Sequence, residues 1–286
     1  MKILTPAKIN PLLYILGKRE DGFHELYMHM VPVNLFDTLR FCENKKKGLN
    51  FKMKGANFSV PLEENMVVRA VRLFEKTSGV TVDIEIILEK NIPSGAGLGG
   101  GSGNAAGVLQ VLNHIFRPSS TQIGLLPSEK LFELALELGS DVPFFLAPSP
   151  CEIRGRGEEI NPLKKYPELM LVIMKPHLSI STPSAYQNCL AEKCTSFPEV
   201  KTLVDLQNHL NNQFETSLLP QYPVLSELKC LLLQNGAFGA LVSGSGSAVF
   251  GIFYKKKLQK HAFKKLSCLH TGEIYSCETL TTHRYF

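Results

Sequence analysis

The stretch Ile92-Pro-Ser-Gly-Ala-Gly-Leu-Gly-Gly-Gly-Ser-Gly-Asn104 sets the reading of the whole chain. Five glycines fall between Gly95 and Gly101, where side chains nearly vanish. Glycine reaches positive φ and lets another group approach the backbone closely. Upstream, Val82, Ile84, Ile86 and Leu88 alternate with Thr81, Asp83, Glu85 and Ile87, which predicts a strand. Downstream, Ala105, Val108, Leu109, Leu112 and Ile115 repeat with a helical period, and Ser102 stands where an N-cap is expected. Strand, glycine loop and helix together make an anion cradle, because unpaired N–H groups and the helix dipole converge on one point.

Several cradles share this plan. A Walker A loop would close with Gly-Lys-Ser/Thr, which is missing. Gly95-x-Gly97-x-x-Gly100 fits the dinucleotide fingerprint, but that motif wants an acidic residue about 20 positions on, and Pro118–Leu126 holds none. Protein-kinase signatures are absent. A flexible glycine hinge is the bland alternative. The loop resembles the second motif of the GHMP small-molecule kinases, which include galactokinase, homoserine kinase and mevalonate kinase and commonly read P-x-x-x-G-L-G-S-S-A/G. It is more similar to one branch, the 4-diphosphocytidyl-2-C-methylerythritol kinases, with G-L-G-G-G-S-S-N. Gly103 departs from that pattern and removes one possible hydroxyl contact to phosphate or metal.

Two further segments carry the resemblance. Near the start, Thr5-Pro-Ala-Lys-Ile-Asn10 and Arg19-Glu-Asp-Gly-Phe-His-Glu-Leu26 are similar to the branch's P-A-K-x-N and R-x-D-G-Y-H. By itself Lys8 reads as an edge-strand lysine snorkelling to water, and Asp21-Gly22 as a hairpin turn between strand-like flanks. Pro11 and Phe23 depart from the usual leucine and tyrosine, and Pro11 is expected to bend or shorten the first strand. Later, Gly139-Ser-Asp-Val-Pro-Phe144 is similar to the segment carrying the family's catalytic aspartate, although Asp before such a turn also reads as an Asx turn. Leu241-Val-Ser-Gly-Ser-Gly-Ser247 resembles the third motif, and otherwise a glycine-serine hairpin.

The rest of the pattern is ordinary. Strands are expected over Asp37–Cys42 and Leu49–Lys54, and a helix over Met66–Ser78 behind an N-cap at Asn65. A polar connection, Pro118–Pro127, precedes a helix capped by Ser128 and ended by Gly139. A composition break at Asn161–Pro167 marks a domain boundary, giving domains 1–160 and 161–286. The second domain orders its core elements β-α-β-β-α-β, a ferredoxin-like pattern. Its last helix, Lys256–Leu266, is basic and amphipathic.

Composition bounds the function. The chain has 286 residues, 44% hydrophobic and 20% charged, as in a globular domain with core enough. A net charge of +5 suits an anionic small substrate, but no basic stripe of a nucleic-acid binder is present. The triplets Lys45–Lys47 and Lys255–Lys257 read as a solvated turn and a helix start. Seven cysteines with no C-x-x-C predict neither zinc nor a disulfide framework, but reduced, mostly buried thiols in a cytoplasmic protein. No apolar run suggests a membrane span; with Pro6, Lys8 and Asn10 interrupting the apolar start no signal peptide is expected, and with chemistry-bearing sequence from Thr5 no transit peptide is expected.

The resemblance implies an α+β, two-domain GHMP-kinase fold, with an N-terminal domain like ribosomal protein S5 and a ferredoxin-like C-terminal domain. It implies a reaction in which ATP phosphorylates the 2-hydroxyl of 4-diphosphocytidyl-2-C-methyl-D-erythritol, in the non-mevalonate route to isoprenoid precursors. Lys8 and Asp141 would be catalytic. Pro93, Ser94, Gly95, Ala96, Gly97, Leu98, Gly99, Gly100, Gly101, Ser102 and Gly103 would hold the ATP phosphates, with Asn65 near the adenine. Asn10, Phe23, His24, Tyr186, Gly244 and Ser245 would bind the acceptor, with Tyr186 closing the face of the cytosine opposite Phe23 and His24. Magnesium would travel with ATP; the resemblance names no protein ligand for it, and no obligate protein partner is expected. The rivals are another kinase of the superfamily and a catalytically dead nucleotide-binding regulator.

Overall fold

The structure, a computed structural model, describes residues 1–286 apart from 45, 56–60, 118–123, 188, 190, 192–196, 270–271, 284 and 286. The N-terminal half is built on a long hairpin, β1 (Lys2–Lys18) and β2 (His24–Glu43). Its turn is the one Asp21-Gly22 predicts: Gly22 has φ 85°, and Asp21 Oδ1 accepts from the Phe23 N–H at 3.1 Å. Pro11 does not shorten β1. The strand runs through it, and the missing N–H is absorbed as a register shift between Ile9 and Leu12.

Strand β3 (Asn50–Lys54) leads through α1 (Met66–Ser78) to the parallel strand β4 (Ile84–Glu89), which pairs with the far half of β2. Helix α1 has the expected start, since Asn65 Oδ1 accepts from the Val67 N–H at 2.9 Å, and it ends on the left-handed Gly79. Then follow α2 (Gly100–Ile115), α3 (Ser128–Leu138) and the hairpin of β5 (Cys151–Gly155) and β6 (Glu159–Pro162) on the near half of β2. Helix α2 is apolar nearly all round because α1, α3 and β1 enclose it. Two caps differ from expectation. The N-cap of α2 is Gly99, with Ser102 already inside the first turn, and that of α3 is Pro127, with Ser128 at its first position. Gly139 does end α3, but with extended φ, 165°, rather than in a left-handed cap. Residues 118–123 of the polar connection lie outside the described residues.

The second sheet contains β7 (Met170–Lys175), β9 (Gly239–Val242), β10 (Val249–Phe253) and β11 (Glu273–Glu278) in the antiparallel order β11-β7-β10-β9. Between β7 and β9 the chain forms α4 (Thr182–Gln187), α5 (Leu203–His209), β8 (Asn211–Asn212), α6 (Glu215–Gln221) and α7 (Pro223–Gln234). Helix α8 (Lys256–Leu266) connects β10 to β11. With α7 and α8 as its crossovers, this sheet has the expected ferredoxin-like order. One face, with Val172 and Met174, packs beneath α7 and α8; the other, with Leu171, Ile173, Phe250 and Ile252, packs on Ala7, Ile9, Val31 and Val33 of the first sheet. The two sheets thus share a core. The second half also returns to the first sheet, because β8 pairs in parallel with Leu12 and Leu13 of β1.

The cysteines depart from the expected burial. Of the six described, Cys151 and Cys277 are buried, Cys189 is intermediate, and Cys42, Cys230 and Cys268 are exposed; Cys194 lies outside the described residues.

Candidate active site

A cleft of about 840 Å³ lies where the glycine loop, the β1–β2 hairpin and the turn after β9 meet. It is lined by every site residue predicted from sequence except Gly103. Gly103 is buried on the far side of α2, where a Cβ would sit 3.0 Å from the Pro6 carbonyl oxygen and 3.5 Å from the Phe145 ring. A serine at this position would meet the strand before it met a phosphate.

The glycine loop owes its composition first to its own protein. A Cβ on Gly97 would lie 1.9 Å from the Ser243 carbonyl oxygen, and one on Gly99 would lie 2.8 Å from the Phe145 ring and 3.0 Å from the Lys8 stem. The loop and the third motif are also joined by backbone: the Ser247 N–H donates to Gly95 O at 3.3 Å and the Ala248 N–H to Ala96 O at 3.1 Å. Ser243 Oγ donates to Gly97 O at 3.0 Å. Beyond the loop, the first intrahelical bond of α2 is made by the Gly103 N–H to Gly99 O, at 2.9 Å. The N–H groups of Gly100, Gly101 and Ser102 therefore lack an intrahelical partner, and all three residues line the cleft. Donors held this way at the positive end of a helix fit a polyphosphate.

Lys8 is not the snorkelling surface lysine its surroundings allowed. It is 4% exposed, and its backbone N–H donates to Leu98 O at 2.9 Å, which ties β1 to the glycine loop. Its ammonium donates to Asn10 Oδ1 at 2.6 Å and stands 3.5 Å from Asp141 Oδ2. Asn10 is fully buried and donates in turn to the His29 carbonyl at 3.4 Å, so it acts on Lys8 from within the wall. Asp141 sits at the turn ahead of a short 3₁₀ segment, Pro143–Leu146, and keeps a third of its side chain exposed to the cleft.

At the hairpin, the His24 ring lies flat on the Tyr186 ring, with centroids 4.5 Å apart and planes at 17°. A base sandwiched between two rings needs about 7 Å, twice the ordinary contact distance of ~3.5 Å. His24 therefore occupies the face of Tyr186 that sequence reasoning gave to the cytosine. Phe23, 47% exposed, lies beneath the Arg156 guanidinium, whose Cζ stands 4.9 Å from the Phe23 ring centroid. Burial, and then Lys18, hold the His24 imidazole below its ordinary pKa, which favours the neutral ring with one donor and one acceptor. Burial, with Asp141 adding, pushes the Tyr186 hydroxyl up. Tyr186 is braced from behind by Phe214, edge-on at 4.8 Å. Ser245 Oγ lies 3.1 Å from Thr182 Oγ1, which joins the third motif to α4.

Sequence reasoning missed Met53, Met66, Leu88, Lys90 and Arg156, all of which line the cleft. The apolar ones surround Asn65 in sequence or on paired strands, where alternation marks them only as core. Among the described residues no cluster of three His, Cys, Asp or Glu could hold a metal.

Comparison with known proteins agrees with this geometry. The family description "GHMP kinases N terminal domain" matches residues 65–148, and "GHMP kinases C terminal" matches residues 191–269. A 4-diphosphocytidyl-2-C-methyl-D-erythritol kinase of Syntrophotalea carbinolica is 38% identical over 283 residues, covering 96% of this chain and 97% of that one. One of Syntrophus aciditrophicus is 38% identical, with 98% and 99% covered. A crystal structure of 4-(cytidine 5'-diphospho)-2C-methyl-D-erythritol kinase superimposes with a TM-score of 0.81 at 34% identity, covering 98% of this chain and 99% of that one. Homoserine kinase of Cytophaga hutchinsonii, with a TM-score of 0.68 and 18% identity over 99% and 96% of the chains, shares the fold.

Proposed function

This chain belongs to the GHMP kinases, and on that premise we propose that it transfers the γ-phosphoryl group of ATP to the 2-hydroxyl of 4-diphosphocytidyl-2-C-methyl-D-erythritol. The observation that carries the reading is the meeting of Lys8, Asp141 and the glycine loop in one cleft that also holds the His24–Tyr186 pair. The names of the relatives support the choice of acceptor.

Phosphoryl transfer asks mainly for positioning and neutralised charge. The N–H groups of Gly100, Gly101 and Ser102 and the dipole of α2 hold the ATP phosphates, and Asn65, Met53, Met66 and Leu88 wall the adenine. Asp141 accepts the proton of the 2-hydroxyl as that oxygen attacks the γ-phosphorus and ADP leaves. Lys8, fixed by Asn10, holds the Asp141 carboxylate and offsets negative charge growing on the attacking oxygen. Phe23, His24 and Tyr186 take the cytosine. His24 leaves the Tyr186 face as the base arrives, and Gly244 and Ser245 border the acceptor. Magnesium would be held through the ATP phosphates and water, with Asp141 and Glu64 as carboxylates that line the cleft, and would supply further neutralisation of the phosphate charge.

Residues 1–160 form the nucleotide-binding and catalytic domain and 161–286 the ferredoxin-like domain, with β6 crossing that division and β8 lent back to the first sheet. No helix among the described residues is long and apolar enough to cross a membrane. The free thiols fit a reducing setting such as the cytoplasm.

The test is a substrate panel read by ADP release: the cytidyl substrate, methylerythritol phosphate, homoserine and mevalonate. Turnover is expected with the cytidyl compound alone. Efficient turnover of methylerythritol phosphate would overturn the cytosine assignment, and failure of all four would overturn the acceptor.

A further inference from the structure

Asp37 lies within β2 and is fully buried. Its Oδ1 accepts from the backbone N–H groups of Asn91 at 2.7 Å and Ile92 at 2.8 Å. Its Oδ2 accepts from Lys90 Nζ at 2.6 Å and from Asn104 Nδ2 at 2.8 Å. A carboxylate offers about four lone-pair sites, so its capacity is filled. Asn104 Oδ1 accepts in turn from Thr5 Oγ1 on β1.

The donors fall at two places that matter. Asn91 and Ile92 are the last residues before the glycine loop, and Asn104 is the first residue after it, in α2. One buried carboxylate thus grips both ends of the span Pro93–Gly103. It also balances Lys90, whose ammonium lies 2.9 Å from where a Cβ on Gly100 would sit, at the start of α2. A lone cation at that place would oppose the helix dipole.

We propose that Asp37 is a positioning residue for phosphoryl transfer: it presets the phosphate-holding backbone by clamping Ile92 to Asn104, without touching the nucleotide. The inference rests on the kinase reading above and adds to it a residue outside the reacting groups. The physical need is clear. A glycine-rich segment has more conformational freedom to lose than any other. Donors that act on a phosphate must be aimed before it arrives, or their ordering is subtracted from its affinity. The clamp moves that ordering into folding.

Asp37→Asn tests it at constant shape. An amide keeps one acceptor oxygen and turns its NH₂ toward donors, so two of the four bonds are lost. The Kd and KM for ATP should rise about 10- to 100-fold, as for the loss of one or two hydrogen bonds to a charged group. The Kd for the cytidyl substrate, which meets other residues, should stay within about twofold. Amide hydrogen exchange should accelerate over residues 91–104 and not over β7, β10 or α8, a split that general loss of stability would not give. Asn104→Ala opens one arm of the clamp and keeps the buried charge, so it serves if Asp37→Asn does not fold; it should shift ATP affinity in the same direction by a smaller factor. A wild type that binds ATP beside folded variants of unchanged ATP affinity would overturn the inference. So would equal weakening for both substrates. A wild type that does not bind ATP would overturn the kinase reading, and the inference with it.

Discussion

Replacing Lys8 by methionine keeps the buried stem and removes the charge. The ammonium stands 3.5 Å from Asp141 Oδ2. Coulomb's law at that separation gives about 5 kcal/mol at an effective dielectric of ~20 and about 1 kcal/mol in bulk water. Lys8 is buried, but Asp141 is one-third exposed, so the interaction lies between those limits. Charge on the attacking oxygen would feel the same field. At about 1.4 kcal/mol per tenfold, kcat should fall roughly 10- to 1,000-fold. A second effect has to be kept apart from the first. Asn10 Oδ1 loses the donor it now has at 2.6 Å in a fully buried place, which costs about 1–3 kcal/mol of stability. The assay is therefore steady-state ADP release with both substrates varied, beside a thermal unfolding curve. The expected result is a lower Tm, a large loss in kcat, and a KM for ATP changed by less than about threefold. Lys8→Arg should not rescue, because a longer, planar guanidinium in this buried place cannot keep both the 2.6 Å bond to Asn10 and the 3.5 Å approach to Asp141. A folded Lys8→Met enzyme with kcat within about threefold of wild type would refute the assignment of Lys8 to the reaction.

Asp141→Asn should lower kcat by about 10²–10⁴-fold with little change in ATP affinity, measured by single-turnover kinetics and calorimetry; near wild-type turnover would remove Asp141 as the base. Tyr186→Ala should raise the KM for the cytidyl substrate roughly 5- to 150-fold and leave that for ATP alone, an unchanged cytidyl KM counting against stacking on this ring. Gly103→Ser should lower stability by about 1–3 kcal/mol through crowding on the Pro6 carbonyl, without changing ATP affinity; a rise in ATP affinity would show that residue 103 reaches the phosphates. His29 is 1% exposed, and burial depresses its imidazole to about 4. Its unfolded pKa is about 6.5, so the unfolded chain binds the proton first: this stability is full above ~6.5 and is lost as pH falls through ~4, by about 3 kcal/mol. Urea unfolding at pH 7.5 and pH 4.5 should show the loss in wild type and a flatter profile in His29→Gln, and equal profiles would contradict it.

The legible parts of this chain were those whose cause is local. Alternation gave β4, the 3.6-residue period gave α1 and α8, and Asp21-Gly22 gave the hairpin, because each depends on neighbours within a few residues. The caps of α2 and α3 misled for the same reason. A serine is a good cap in isolation, but Gly99 must be left-handed to pass Phe145 and Lys8, and that fixes the helix start earlier. The site residues came from motif resemblance, and their shared cleft follows from sheet pairings that no window contains. In the sequence Asp37 reads only as part of a strand. Its partners are 53 to 67 residues away, and nothing around it distinguishes a filled carboxylate from a solvent-facing one. The contact between His24 and Tyr186 was equally hidden, since residue types name what can stack and not what does.

The bonds from Ser247 to Gly95 and from Ala248 to Ala96, with the close fit of Gly97 against Ser243, bear on how such an enzyme can be rebuilt. A chimera joining this N-terminal half to the C-terminal half of a relative with another acceptor would inherit a phosphate loop cut to one pattern and a brace cut to another. Nucleotide affinity would drift each time acceptor preference was exchanged. Recombination that spares ATP use has to carry Gly95–Gly99 and Ser243–Ala248 as one cassette, although half the chain lies between them.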